Sequence, residues 1–377
     1  MDNLFMELQA PVYPKWLRDI RELLPIRPHF ILTGNIRDRV LIGDGEGRAI
    51  SLFAAIWDAL GAFDFDGMLV WDAVDGLQPY PQDEAWRRRL GAFCEMDLSQ
   101  PQPASLRTLA TLIRRVAVPV GGGDNPDPRL ALIVDYASRI REEGHNPEGV
   151  REFFLTAEKA ANQARPLAGR NRPGAVFNPI LWLANRPNDL PDWFSVGNER
   201  VRSIPIRVPD ADARRRVALA QYARLPPETR NVDREAFAAT LARHTHNMSI
   251  NALIDIVSLA IRQNLPAAEI DEAVQNFRVG DTSLASPWRG NHLREAIRRA
   301  ENRLGERVQG QPKAVTKVLD ILKRTSIGLT GAQSRGLSAR PRGVLFFAGP
   351  TGVGKTEMAK SIAEIVFGDE SAYLRFD

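Results

Sequence analysis

The stretch that most constrains this 377-residue sequence is Gly349-Pro350-Thr351-Gly352-Val353-Gly354-Lys355-Thr356. It fits G-x-x-x-x-G-K-[ST], and its surroundings agree with it. Val344-Leu345-Phe346-Phe347-Ala348 reads as a buried parallel strand, and Glu357 to Val366 carries apolar residues at helical spacing. Glycines let such a loop turn its backbone N–H groups toward a phosphate, and the helix that follows adds its positive N-terminal end. Lys355 is then expected to reach the β- and γ-phosphates of a nucleotide triphosphate, with the Thr356 hydroxyl on Mg²⁺. A plain glycine turn between strand and helix is the alternative, and it requires strand, loop and helix to coincide by chance.

Hydrolysis needs more than this cradle: an acidic Mg²⁺ partner, a group that orients water, and an arginine on the transferring phosphate. Only one helix and one strand, Ser371 to Asp377, fit after the loop. The expectation is a binding half-site, with hydrolysis resting on residues beyond Asp377 and its catalytic residues unassigned.

Composition excludes several classes. No apolar run approaches the roughly 20 residues that span a bilayer, and the N-terminus lacks a signal-peptide pattern. Cys94 is the single cysteine, which rules out a disulfide framework or a cysteine zinc site. The expected location is the cytoplasm. The five histidines lack metal-site spacing, so Mg²⁺ carried by nucleotide is the one metal expected. Net charge is +4, without a basic stripe interleaved with aromatics. Nucleic acid is therefore not indicated. Arg87–Arg89, Arg214–Arg216 and the helix from Arg294 to Arg303 read as solvated faces.

Upstream of the loop, buried-strand runs alternate with amphipathic helices, which argues for a parallel α/β sheet. The strands are expected at 29–33, 67–71, 130–134, 179–183 and 201–206, and an all-helical stretch follows from Asp210 to about Phe277. The expected organisation is an α/β domain over 1–209, a helical lid over 210–280, linker helices and a loop over 281–341, and a second P-loop domain over 342–377.

Leu304 to Val315, the basic helix to Arg324, the run "GPTGVGKTE-x-AK" and the closing "RFD" closely resemble the second ATPase module of Clp-type, heat-shock-100-class AAA+ unfoldases. The likeness covers about residues 300–377. It implies that Val308 and Gln309 lie beside the adenine and that Glu357 joins the ATP-binding set of Gly349 to Thr356. The first 280 residues resemble a degenerate AAA+ module in layout. Asn185 stands at its polar sensor position, Arg200 and Arg202 lie where such modules carry arginine fingers, and Met248 to Leu259 matches the lid helix. Where its phosphate loop belongs stands Thr33-Gly34-Asn35-Ile36-Arg37-Asp38, with an aspartate that would repel phosphate. Asp135 is followed by Tyr136 in place of a water-polarising glutamate.

The resemblance thus implies an α/β AAA+ P-loop fold: a three-layer parallel sheet with a helical lid, then the start of a second module. It further implies an ATP-binding, Clp-like motor that remodels or unfolds a protein substrate as a homo-oligomeric ring, a hexamer. The first module would act as a scaffold that holds the ring. Two alternatives stand beside it: a nucleotide-dependent binding switch without hydrolysis, and an AAA+ motor acting on nucleic acid.

Overall fold

The structure is a computed structural model. It describes residues 13–100, 103–120, 127–142, 147–170, 174–279, 291–326, 344–350, 352–367, 370 and 372–373. The chain divides into two compact units, residues 1–225 with 232–255, and residues 226–231 with 256–377. The division falls inside the expected helical stretch.

Ten strands form among the described residues of the first unit. They are β1 (His29–Gly34), β2 (Val40–Ile42), β3 (Arg48–Ile50), β4 (Gly67–Asp72), β5 (Gly76–Tyr80), β6 (Leu130–Val134), β7 (Leu167–Ala168), β8 (Ala175–Val176), β9 (Ile180–Ala184) and β10 (Val201–Ile206). Six of them make one sheet in the order β10-β1-β9-β6-β4-β5, parallel throughout except for the antiparallel edge strand β5. All five expected strands are present.

Continuous apolar runs are what a parallel sheet covered on both faces requires. Alternation then sorts each run between two layers. Ile31, Leu69, Trp71, Leu132 and Trp182 enter one core, while Phe30, Leu32, Met68, Ile133 and Leu181 enter the other. Helices α1 (Lys15–Leu23) and α2 (Leu52–Leu60) cover the second of these faces. The first is covered by α3 (Glu84–Cys94), α4 (Leu106–Ala117), α5 (Pro147–Gln163) and the short α6 (Asp192–Ser195). Each fully buried aliphatic side chain contributes about 1.5–3 kcal/mol.

Two polar features interrupt this core. His29 is fully buried against Trp182 and Phe194; it accepts from Trp182 Nε1 at 3.3 Å, and its Nε2 has no partner among the described residues. Burial pushes its pKa down to about 3. At the start of β4, Trp86 lies flat over Gly67, where a Cβ would stand 2.2 Å from the indole. Only glycine admits the Trp86 ring, whose Nε1 donates to Met68 O at 3.2 Å.

The sheet is followed by α7 (Ala211–Tyr222), α8 (Arg234–His244) and the start of α9 (Ile250–Arg262). Asp210 and Asp233 cap α7 and α8 by accepting from Ala213 N and Ala236 N. The run Arg214–Arg216 is not the solvated face expected from the sequence. Arg214 is buried and donates to Ala242 O near the end of α8, and Arg216 donates to the carbonyls of Gly43 and Gly45 in the β2–β3 turn. Unpaired carbonyls at helix ends and turns draw guanidinium groups inward.

The second unit contains α10 (Ile270–Val279), α11 (Asn291–Arg307), α12 (Pro312–Ser326) and α13 (Lys355–Phe367). Leu304, Val308, Val318, Leu322, Met358 and Val366 form its core. Residues 344–348 depart from the expected buried strand. They pair with no strand among the described residues, and Val344 and Phe346 are 79% and 91% exposed. Leu345 and Phe347 pack on the helical core, so one side of the segment is covered. A parallel strand is buried only when layers cover both of its faces. The strand expected at 371–377 lies outside the described residues apart from 372 and 373.

Among the described residues no helix is long and apolar enough to cross a membrane. None of their His, Cys, Asp and Glu side chains gather in a group of three that could hold a metal ion.

Candidate functional site

Glycines shape the loop that leads into α13. Gly349, Gly352 and Gly354 take φ values of 154°, 90° and 88°, a region side-chain-bearing residues rarely adopt. The Gly354 carbonyl accepts from Met358 N at 2.9 Å, so α13 begins directly at Lys355. Lys355 Nζ folds back over the loop and donates to Gly349 O at 2.8 Å and Pro350 O at 2.6 Å. Thr356 is exposed on the first turn, and Val353 is half-buried with its methyl near Gly349. Thr351 lies outside the described residues. A cation held over a glycine loop, at the positive end of a 13-residue helix, fits a polyphosphate.

Val308 joins this loop. It is buried at the end of α11, with Cγ1 3.1 Å from where a Gly354 Cβ would stand. Gln309 beside it is exposed. Glu357 faces Arg307, whose Nε lies 3.4 Å from its Oε1, while the same guanidinium reaches Glu364 at 2.6 Å and Glu370 at 2.8 Å. The hydrogen bond to Glu370 raises the Arg307 pKa, and the other carboxylates add to it. This knot between α11 and α13 carries no local signal in the sequence, because Arg307 and Glu364 are 57 residues apart.

The corresponding place in the first unit is the turn after β1. Strand β1 lies between β9 and β10, where the connections depart in opposite directions, which is the crevice in which open α/β sheets take ligands. Gly34 has φ 93°, and a Cβ there would stand 2.7 Å from Ile206 O. Beyond it the turn is filled by its own side chains. Arg37 grips Asp135 through two bonds of 2.8 and 2.7 Å and stacks 3.9 Å above the Tyr136 ring. Asp38 is buried and accepts from Ile250 N at 2.8 Å, Asn251 N and Asn35 Nδ2 at 2.9 Å, and Arg39 N at 2.8 Å. A cavity of about 590 Å³ adjoins it, lined in part by Trp16, Asn35, Asp38, Arg202 and Ile250. Asn185 is exposed and remote from the turn in sequence, but its carbonyl accepts from Gly34 N, while its backbone N–H donates to Ser138 Oγ.

A family model described as the AAA+ chaperone, N-terminal Rossmann-like domain, matches residues 7–207. Chaperone protein ClpB of Propionibacterium freudenreichii subsp. shermanii is 26% identical over 272 residues, 68% of this chain and 29% of that protein. ClpB of Chlamydia muridarum is 51% identical over 77 residues, 20% of this chain and 8% of that protein. ClpB of Mycobacterium tuberculosis H37Rv is 40% identical over 124 residues, 30% of this chain and 14% of that protein. A cryo-EM reconstruction of Hsp104 in a closed state with ATPyS and FITC casein aligns with 98% of this chain and 60% of that one, at 13% identity and a TM-score of 0.45. The chain spans less than a third of each ClpB relative.

Proposed function

The chain belongs to the AAA+ chaperone family, and on that premise we propose that its second unit binds ATP with Mg²⁺ as part of a Clp-like protein-remodelling motor. The observation that carries this reading is the three-glycine loop with Lys355 folded over it at the start of α13. In the proposed complex Lys355 leaves the Gly349 and Pro350 carbonyls and reaches the β- and γ-phosphates. Backbone N–H groups of the Gly349–Thr356 loop, Pro350 having none to give, would surround the β-phosphate. The Thr356 hydroxyl holds Mg²⁺, which supplies positive charge to the phosphate oxygens. Val308 and Gln309 lie on the adenine side, and Glu357 tethers the first turn of α13 through Arg307.

Relatives named as chaperones favour a protein substrate over nucleic acid. The same reading places the chain in the cytoplasm, in a homo-oligomeric ring of six copies, with Arg200 and Arg202 of the first unit at contacts between copies. ATP hydrolysis belongs to the proposal for the whole motor.

Titration of the full chain with ATP and Mg²⁺ in a calorimeter tests the site. Binding that Lys355→Ala weakens about a hundredfold is expected; equal binding by both chains overturns the assignment. Light scattering over a range of concentrations tests the ring, and a strict monomer throughout would sink that part.

A further inference from the structure

We propose that the turn Asn35–Asp38 of the first unit is a built-in substitute for a metal–nucleotide, which holds the start of α9 in place without any ligand. Two charges of opposite sign carry the argument. Arg37 places a cation on Asp135, the carboxylate at the end of β6, and both oxygens of that carboxylate are engaged by it. Oδ1 also accepts from Tyr136 N at 2.7 Å. A divalent ion would have to displace a bidentate guanidinium that is also stacked on Tyr136.

Asp38 supplies the anion. Its two oxygens accept four hydrogen bonds, two of them from the first amides of α9, a 13-residue helix. Those amides are the donors that a phosphate at a helix N-terminus would use. Asn251 closes the ring by donating Nδ2 to Arg37 O at 3.3 Å. Gly34, held at positive φ against Ile206 O, sets the path that lets one turn reach both partners.

Space does not account for the substitution, because a 590 Å³ cavity stands beside the turn. Charge does. The aspartate occupies the amides and would repel an incoming phosphate, while the arginine occupies the acidic position. An ordinary helix cap explains Asp38 alone; it does not explain an adjacent arginine that neutralises the carboxylate after β6, two strands away in the sheet. The first unit is therefore fixed in a ligand-independent state.

The test uses the full chain carrying Lys355→Ala, so that the loop before α13 cannot contribute and the two proposals fail separately. Hydrogen exchange is followed at the Ile250 and Asn251 amides with and without Mg²⁺–ATP. Protection that is the same in both conditions is expected. Adding Asp38→Ala should speed exchange at these amides roughly tenfold. Slowing by Mg²⁺–ATP, or unchanged exchange in Asp38→Ala, overturns the proposal. The comparison with and without nucleotide needs no change in the turn, so it decides even if Asp38→Ala does not fold.

Discussion

Two turns in this molecule follow a run of apolar residues and begin with a glycine at positive φ, yet they end in opposite chemistry. The Gly349–Thr356 loop spends three glycines and a lysine on leaving backbone donors open, and the lysine finds only loop carbonyls for partners. The Gly34–Asp38 turn has one glycine and is closed by Arg37–Asp135 and Asp38–α9. The difference teaches that a turn can be closed to phosphate by charge even where space remains beside it. Side-chain charges at the turn give the buried Asp38 and Asp135 carboxylates their partners.

Acid should separate the two units by the largest margin. His29, in the first unit, has a folded pKa of about 3 against an ordinary 6.5. Between those values the unfolded chain binds the extra proton and the folded chain does not. Stability of the first unit should therefore fall as the pH drops below about 6.5, by about 1.4 kcal/mol per pH unit. Every tryptophan except Trp288 lies in the first unit, so urea melts read by tryptophan fluorescence report it. His29→Leu should flatten the slope; an unchanged slope would assign the acid sensitivity to other groups.

Lys355→Ala comes next, with ATP affinity expected to drop about a hundredfold, ~2.7 kcal/mol, as a charge leaves the phosphates. Asp135→Ala is the paired control and should leave affinity unchanged. Equal losses from both would reverse the assignment of open and closed sites. Gly34→Ala follows, since it forces a Cβ against the Ile206 carbonyl at a strained φ. A loss of about 2 kcal/mol in the same urea melts is expected, and no loss would mean the turn is not held where the closed site needs it.

The sheet was legible because its strands are runs buried on both faces, and Leu130–Val134 and Val201–Ile206 fall where the hydrophobic pattern puts them. Edge strand β5 was not, because Gly76-Leu77-Gln78-Pro79-Tyr80 carries Gly and Pro and only one face of alternation. Residues 344–348 looked like a strand because composition cannot tell a run covered on one side from a run covered on two. The glycine turn and the helix after it were legible since the motif is written in eight consecutive residues. The closed turn was half legible. The sequence shows that an aspartate stands where phosphate would, but Arg37 meets its partner 98 residues away and Asp38 meets Ile250 at a distance of 212 residues. Such pairings leave no local pattern.

Asp38 is joined to the strand that carries it, and so it is always present at the amides it caps. Any soluble anion must compete with a tethered one whose effective concentration is on the order of millimolar or higher. A bimolecular site empties on dilution. The four hydrogen bonds at Asp38 do not depend on how much nucleotide the surroundings hold, so the start of α9 is set when the chain folds and keeps no record of supply.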